Sequence, residues 1–219
     1  MHFKSRLSIG FVAAAALAFS SAAWADSIYS SPSGFASATY GVTSVGFPSP
    51  GYGLYAGEAP SYTVGAVNFS STSNLNLDDA AYYKVNGGSP ANPSNYLIVF
   101  GQTPSDTVTI TFPASTAFSI DLGGTFSSGE AITVTLSDGF TYSYDATGYV
   151  TSGSGLDFLG FTSTTPLTSA TITFADNPDY GTISGVEYGA ATPEPGSLLL
   201  LGTGMLGLGL LVYRNKLSA

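Results

Sequence analysis

The chain of 219 residues contains no cysteine, one histidine and one tryptophan. Without cysteine, an exported domain has no disulfide to constrain it and must be held by its own core. The histidine is His2 and the tryptophan is Trp24, both within the first 25 residues. The rest of the chain therefore lacks the parts of a Ser-His-Asp triad, a Cys-His pair or a zinc site. Charge is also scarce, at 9% of residues, and positive charge is scarcest. Between residues 26 and 192 there are 13 acidic residues and one basic residue, Lys84, hence a net charge of −12. Such a surface repels a phosphate backbone, which excludes nucleic acid as a partner. No 12-residue window in this stretch shows helical periodicity, so an α-helical domain is excluded as well.

What is present divides the chain into three. Lys4 and Arg6 precede an apolar run over residues 7–19, and Ala23-Trp24-Ala25 fits the small-x-small cleavage rule. This predicts a secretory signal peptide over residues 1–25, with Ala23 and Ala25 marking the cleavage site and Asp26 as the new first residue. Residues 193–219 form a tail. The body between them, 26–192, has a length that suits one domain. Ser and Thr supply 48 of its 167 positions, coating it with hydroxyls in place of charges.

The body reads as strands. Residues 26–57 are rich in Gly, Pro, Ser and Tyr, which predicts one or two edge strands with long surface loops. Further on, alternation of period two places Val108, Ile110 and Phe112 on one face, with Thr107, Thr109 and Thr111 on the other. Phe118, Ile120 and Leu122 repeat the pattern, as do Ile132, Val134 and Leu136, then Phe140, Tyr142 and Tyr144, and finally Ala170, Ile172 and Phe174. Turn residues separate these runs at intervals of roughly 8–12 residues. The fold class expected is all-β, an antiparallel β-sandwich. At Ser137-Asp138-Gly139, a two-residue loop would oppose apolar and polar rows. A three-residue loop pairs Leu136 with Phe140, Val134 with Tyr142 and Ile132 with Tyr144, so a turn-plus-bulge loop with Gly139 left-handed is predicted.

The tail begins Pro193-Glu194-Pro195 and continues as an apolar run over residues 197–213, with eight leucines, before Arg214 and Lys216. Seventeen residues of helix reach about 25 Å, enough for a short transmembrane span, and the two basic residues would act as a membrane stop left in the cytoplasm. This stretch resembles the PEP-CTERM sorting tail of exported bacterial proteins. The resemblance implies recognition by exosortase, a membrane protease, cleavage near Pro193, Glu194 and Pro195, and release of the body to the cell surface or exopolysaccharide. The precursor would be anchored in the inner membrane.

A second resemblance lies in Gly155-Leu-Asp-Phe-Leu-Gly-Phe-Thr-Ser-Thr-Thr-Pro-Leu-Thr-Ser. It is similar to a stretch in sandwich bodies that carry such tails; the likeness covers residues 95–189 and implies a jelly-roll-like sandwich for the body, 26–192. In those bodies the last strand often places an aspartate near a structural calcium, where this chain has Ser184.

Few constellations carry chemistry. Glu58, Asp121, Glu130, Asp157 and Glu187 could supply the carboxylate pair that a glycosidase needs. Asp78 with Asp79, and Asp176 with Asp179, are candidate calcium ligands in oxygen-rich turns, against the commoner reading of surface turns stabilised by side-chain-to-backbone bonds. Exposed tyrosines around residues 40–55 and 82–83 could stack on sugar rings, although packing is the commoner fate of such residues. The function expected is that of a non-enzymatic structural component of the cell surface or biofilm matrix, requiring no cofactor, with a structural calcium as a candidate addition only. A carbohydrate-binding module for extracellular polysaccharide is the alternative, and a glycosidase a distant third.

Overall fold

The computed structural model describes residues 26–49, 55–78, 95–100, 106–125, 129–148, 155–175 and 180–192, together with 202–207, 209 and 213 near the C-terminus. Among the described residues, ten strands, all paired antiparallel, and one short helix build the body: β1 (Ser27–Tyr29), α1 (Pro32–Ser37), β2 (Thr39–Val45), β3 (Tyr55–Val64), β4 (Val67–Asp78), β5 (Tyr96–Phe100), β6 (Asp106–Gly124), β7 (Glu130–Leu136), β8 (Thr141–Ala146), β9 (Asp157–Phe174) and β10 (Gly181–Ala191). The fold is the all-β sandwich that the alternation predicts.

The two layers are made by strands that change partners along their length. Residues 108–111 of β6 pair with β4, whereas residues 117–124 pair with β10. In the same way, residues 68–71 of β4 pair with β6 and residues 74–78 pair with β5, which in turn pairs with β10. β9 runs beside β6 through both halves, flanked by β1 at one end and by β7 at the other. Strands that switch sheets through bulges form the corners of such sandwiches. Here the corner is marked by proline. The β6–β9 register is continuous up to Thr111↔Ser169, resumes at Ser115↔Leu167 and slips again before Ala117↔Thr162. Pro113 and Pro166 lie within those breaks, where the missing amide hydrogen costs no ladder bond.

The inner faces meet in one core. Val108, Ile110, Phe112, Phe118, Ile120, Leu122, Ile132, Val134, Leu136, Ala170, Ile172 and Phe174 are all buried in it. Tyr142 and Tyr144 of the edge strand β8, and Phe140 just before it, are partly buried against it, as expected for a strand covered on one flank only.

The β7–β8 hairpin takes the predicted form. Val134 faces Tyr142 and Ile132 faces Tyr144. The Leu136 amide donates to the Phe140 carbonyl (2.9 Å) and the Gly139 amide to the Leu136 carbonyl (3.0 Å), with Gly139 at φ +94°. Asp138 holds the tip by accepting from the Phe140 amide (2.9 Å), and its other oxygen accepts from the Ser163 hydroxyl (2.6 Å).

Two expectations are corrected. The runs at residues 108–112 and 118–122 are halves of one 19-residue strand, and β9 is 18 residues long, so no turn divides them. A proline that breaks a ladder reads in sequence as a boundary even when the chain direction persists. The N-terminal segment, read as edge strands and loops, also contains α1. Ser31 caps this helix by accepting from the Gly34 amide (3.2 Å), and Pro32 occupies its first turn. Six residues are too few to show a period of 3.6. Phe35 of α1 is buried against Gly160 of β9, where a Cβ would collide with the ring.

Residues 202–207 are helical, as are 209 and 213. Among the described residues, no helix is long and apolar enough to cross a membrane. The expected span over 197–213 otherwise lies outside the described residues.

Candidate functional site

The acidic candidates meet different fates. Glu58 is exposed and accepts from the Asn74 amide (2.8 Å). Asp157 accepts from the Thr147 amide (2.7 Å), the Thr147 hydroxyl (2.9 Å) and the Gly148 amide (3.1 Å), so it braces the chain that follows β8. The side chain of Glu130 lies outside the described ones. Asp121 and Glu187 do come together, on the face of β6 and β10 that points away from the core. β6 places Ser119 opposite Glu187 and Asp121 opposite Ser184, with a bulge between Ser184 and Glu187. Gly185 sits in that bulge at φ +59°, and the Asp121 carboxylate occupies the space its Cβ would need.

Glu187 accepts from the Ser44 hydroxyl (2.7 Å) through one oxygen and from the Ser119 hydroxyl (3.2 Å) through the other, linking β2, β10 and β6. Burial pushes the Asp121 carboxyl up to about 6, and the negative charge of Glu187 adds to the effect. Asp121 can therefore hold a proton in mildly acidic conditions.

Asp78, a candidate calcium ligand, is not in a surface turn. It is 2% exposed, at the end of β4 opposite Tyr96. Burial raises the Tyr62 phenol above its ordinary value, and the nearby charge of Asp78 adds to this, while a hydrogen bond with the Leu77 backbone opposes it. Asp79, Asp176 and Asp179 lie outside the described residues. Among the described residues, no three His, Cys, Asp or Glu side chains gather as a metal site.

One concave feature formed by described residues of the body is an open groove of about 480 Å³ beside the sandwich corner. Pro113, Ser115 and Thr116 of β6, Pro166 of β9, Tyr188 of β10 and Tyr40 of β2 contribute to its walls, and among the described residues every side chain lining it is uncharged. Two irregularities build it. One is the ladder break at the two prolines. The other is a bulge where Tyr188 faces Thr43 but Ala190 faces Tyr40, so β2 carries an extra residue. Gly189 lets β2 approach here, because a Cβ would lie 3.0 Å from Val42 Cα, and Gly41 takes φ +60°. A bulge re-aims neighbouring side chains, and Tyr40 is 57% exposed.

Tyr188 stacks on Phe112 (6.2 Å between centroids), which stacks on Phe118 (4.8 Å), so one wall is anchored in the core. Neither Asp121 nor Glu187 lines the groove. Sequence reasoning noted the tyrosines around residue 40 but missed the partners from β6, β9 and β10, which only the strand pairing brings together.

β10 carries the chain to the edge of the body. Ala191 pairs with Thr39, and the Thr192 amide donates to the Ala38 carbonyl (2.8 Å). The next residues, Pro193, Glu194 and Pro195, lie outside the described residues, as do Ala23, Ala25, Arg214 and Lys216. Comparison with known families finds a PEP-CTERM protein-sorting motif over residues 191–215. The chain is thus an exported protein with a sandwich body and a C-terminal sorting signal. Signals of this kind are recognised by exosortase, a membrane protease, and the protein is membrane-anchored before processing. No curated protein and no solved structure matches the chain.

Proposed function

We propose that the chain is a structural component of the cell surface or exopolysaccharide matrix, without enzymatic activity, delivered there through its PEP-CTERM signal. The observation that carries this reading is the position of the signal: the sorting motif starts at residue 191, on the last residue of the last strand. The described body thus ends where the signal begins, which suits release of an intact domain. The composition agrees. A hydroxyl-rich surface with a net charge of −12 over residues 26–192 favours solubility and discourages self-association in a hydrated matrix. Asp157 and Glu58 are engaged in structural hydrogen bonds, and Asp121 with Glu187 stands outside the groove.

Intact-mass analysis of the protein from the extracellular matrix fraction tests the reading. A chain that starts near Asp26 and ends near Pro195 is expected, and this form should be lost when the exosortase is removed. Full-length protein retaining residues 197–219 in that fraction would indicate a permanent anchor instead. Hydrolysis of the producer's polysaccharide by the purified protein would replace the structural role with a glycosidase. A glycan-binding role is the second reading, favoured by the uncharged, tyrosine-walled groove.

A further inference from the structure

We infer that the groove between Tyr40, Tyr188 and the two corner prolines is a binding site for an uncharged polysaccharide, with Tyr40 as the platform on which a sugar ring stacks. This deepens the glycan-binding reading and rests on it.

The first observation is electrostatic. The body carries 13 acidic residues and one basic residue, yet among the described residues no charged side chain lines the groove. Among the described residues an anionic polymer would meet no cation in the groove, and the net charge of the body would repel it. A cationic one would gain nothing there that the rest of the surface does not offer. The site is complementary to a neutral occupant.

The second observation is chemical. The lining combines flat apolar faces, from Tyr40, Tyr188, Pro113 and Pro166, with the hydroxyls of Thr116 and of Ser115, the latter donating to the Pro113 carbonyl (2.7 Å) and so open only as an acceptor. A sugar ring has the same two-sided character, with a C–H face that packs on an aromatic plane and a rim of hydroxyls that needs donors and acceptors. Thr116 Oγ1 already accepts from the Ala191 amide (2.9 Å), which leaves its own proton to donate. The β6–β9 register passes over Phe112–Ala114, so the backbone at the corner is not committed to that ladder.

The third is structural. Two separate ladder defects converge on this one surface, each with a stability cost, and together they hold a tyrosine at 57% exposure beside another anchored by stacking on Phe112. The groove is open to solvent and not an enclosed cavity, so a polymer can reach it from outside.

The test uses the full chain purified in detergent, titrated with neutral hexasaccharides of glucose, mannose, galactose and N-acetylglucosamine. At least one should bind. Tyr40→Ala should weaken that binding about tenfold or more, while Tyr40→Phe, which keeps the ring, should stay within about threefold. Tyr40 is exposed, so the thermal unfolding of both variants should match that of the parent, and Ile28→Ala, at another exposed apolar position, should leave binding unchanged. Binding that Tyr40→Ala leaves intact would overturn the site while sparing the glycan-binding reading. No binding of any neutral hexasaccharide would overturn both. A Tyr40→Ala effect on sedimentation without an effect on sugar binding would assign the surface to a second copy of the chain and overturn the inference.

Discussion

Replacing Asp121 with asparagine should stabilise the protein at neutral pH and leave it nearly unchanged in acid. The carboxyl sits against the Gly185 bulge, half-buried on the outer face of β6, and burial together with the charge of Glu187 lifts it from 3.8 to about 6. The sign follows from proton counting. The folded protein holds this proton up to about pH 6, whereas the unfolded chain releases it near 3.8, so the native state binds more protons across that interval. Stability from this group therefore falls as the pH rises from about 4 to about 6, and the penalty is complete above 6. At roughly 1.4 kcal/mol per pH unit the full cost is about 3 kcal/mol. The carboxylate keeps part of its hydration and is screened by solvent, so about 1–2 kcal/mol is the working figure. Asparagine keeps the shape and removes the charge. Urea unfolding of parent and Asp121→Asn at about pH 7 and about pH 4 should show the gain at the higher pH and little difference at the lower. An equal gain at both would mean that the effect is packing and not charge. A loss at neutral pH would mean that the carboxylate is stabilised where it stands, and the argument from burial would fail.

Other expectations are simpler. Ile172→Ala opens a cavity where β9 lies between β6 and β7, and should cost about 2–5 kcal/mol by denaturant unfolding. Gly139→Ala forces a side chain onto φ +94° and should cost about 1–3 kcal/mol, read as a lower melting temperature. Ser31→Ala removes the cap of α1 and should cost about 0.5–1 kcal/mol, because the helix is short and its packing rests on Phe35. Neutral-glycan affinity should change less than about twofold between roughly 0.05 and 0.5 M salt, since few counterions are displaced; steep weakening would point to a charged ligand.

The inner surface of the fold was legible because period two is a direct consequence of the pleat. Residues such as Val108, Ile120 and Ile172 had to share a face, and that face had to be buried. The hairpin register followed from the same rule, since only a three-residue loop lets Val134 meet Tyr142. The outer surface was not legible in this way. Asn76, Asp78, Ser119, Thr125, Thr182 and Ser184 are polar and stand outside the core cluster, yet all are buried. Alternation tells which side of a sheet a residue takes, not whether a second layer covers that side. Once covered, such groups must find partners, and Thr125 and Thr182 find each other at 2.6 Å.

The groove failed to show in the sequence for a related reason. Its walls come from positions 40, 113–116, 166 and 188, brought together by a corner where two strands leave their registers. A proline inside an alternating run looks like the end of a strand, and a glycine beside a tyrosine looks like a loop. Both readings are locally sound, because each residue does break the ladder at its own position. The groove depends on what the breaks do jointly. Pro113 and Pro166 disrupt the β6–β9 ladder at the corner of the sandwich, and the Gly41–Gly189 bulge turns Tyr40 toward the groove at that corner. Local signals that each subtract stability from a regular sheet thus add up to a concave, uncharged surface. The sorting motif shows the opposite case: its residues are contiguous and need no fold to be read, which is why the export signal was plainer in the sequence than the surface of the body.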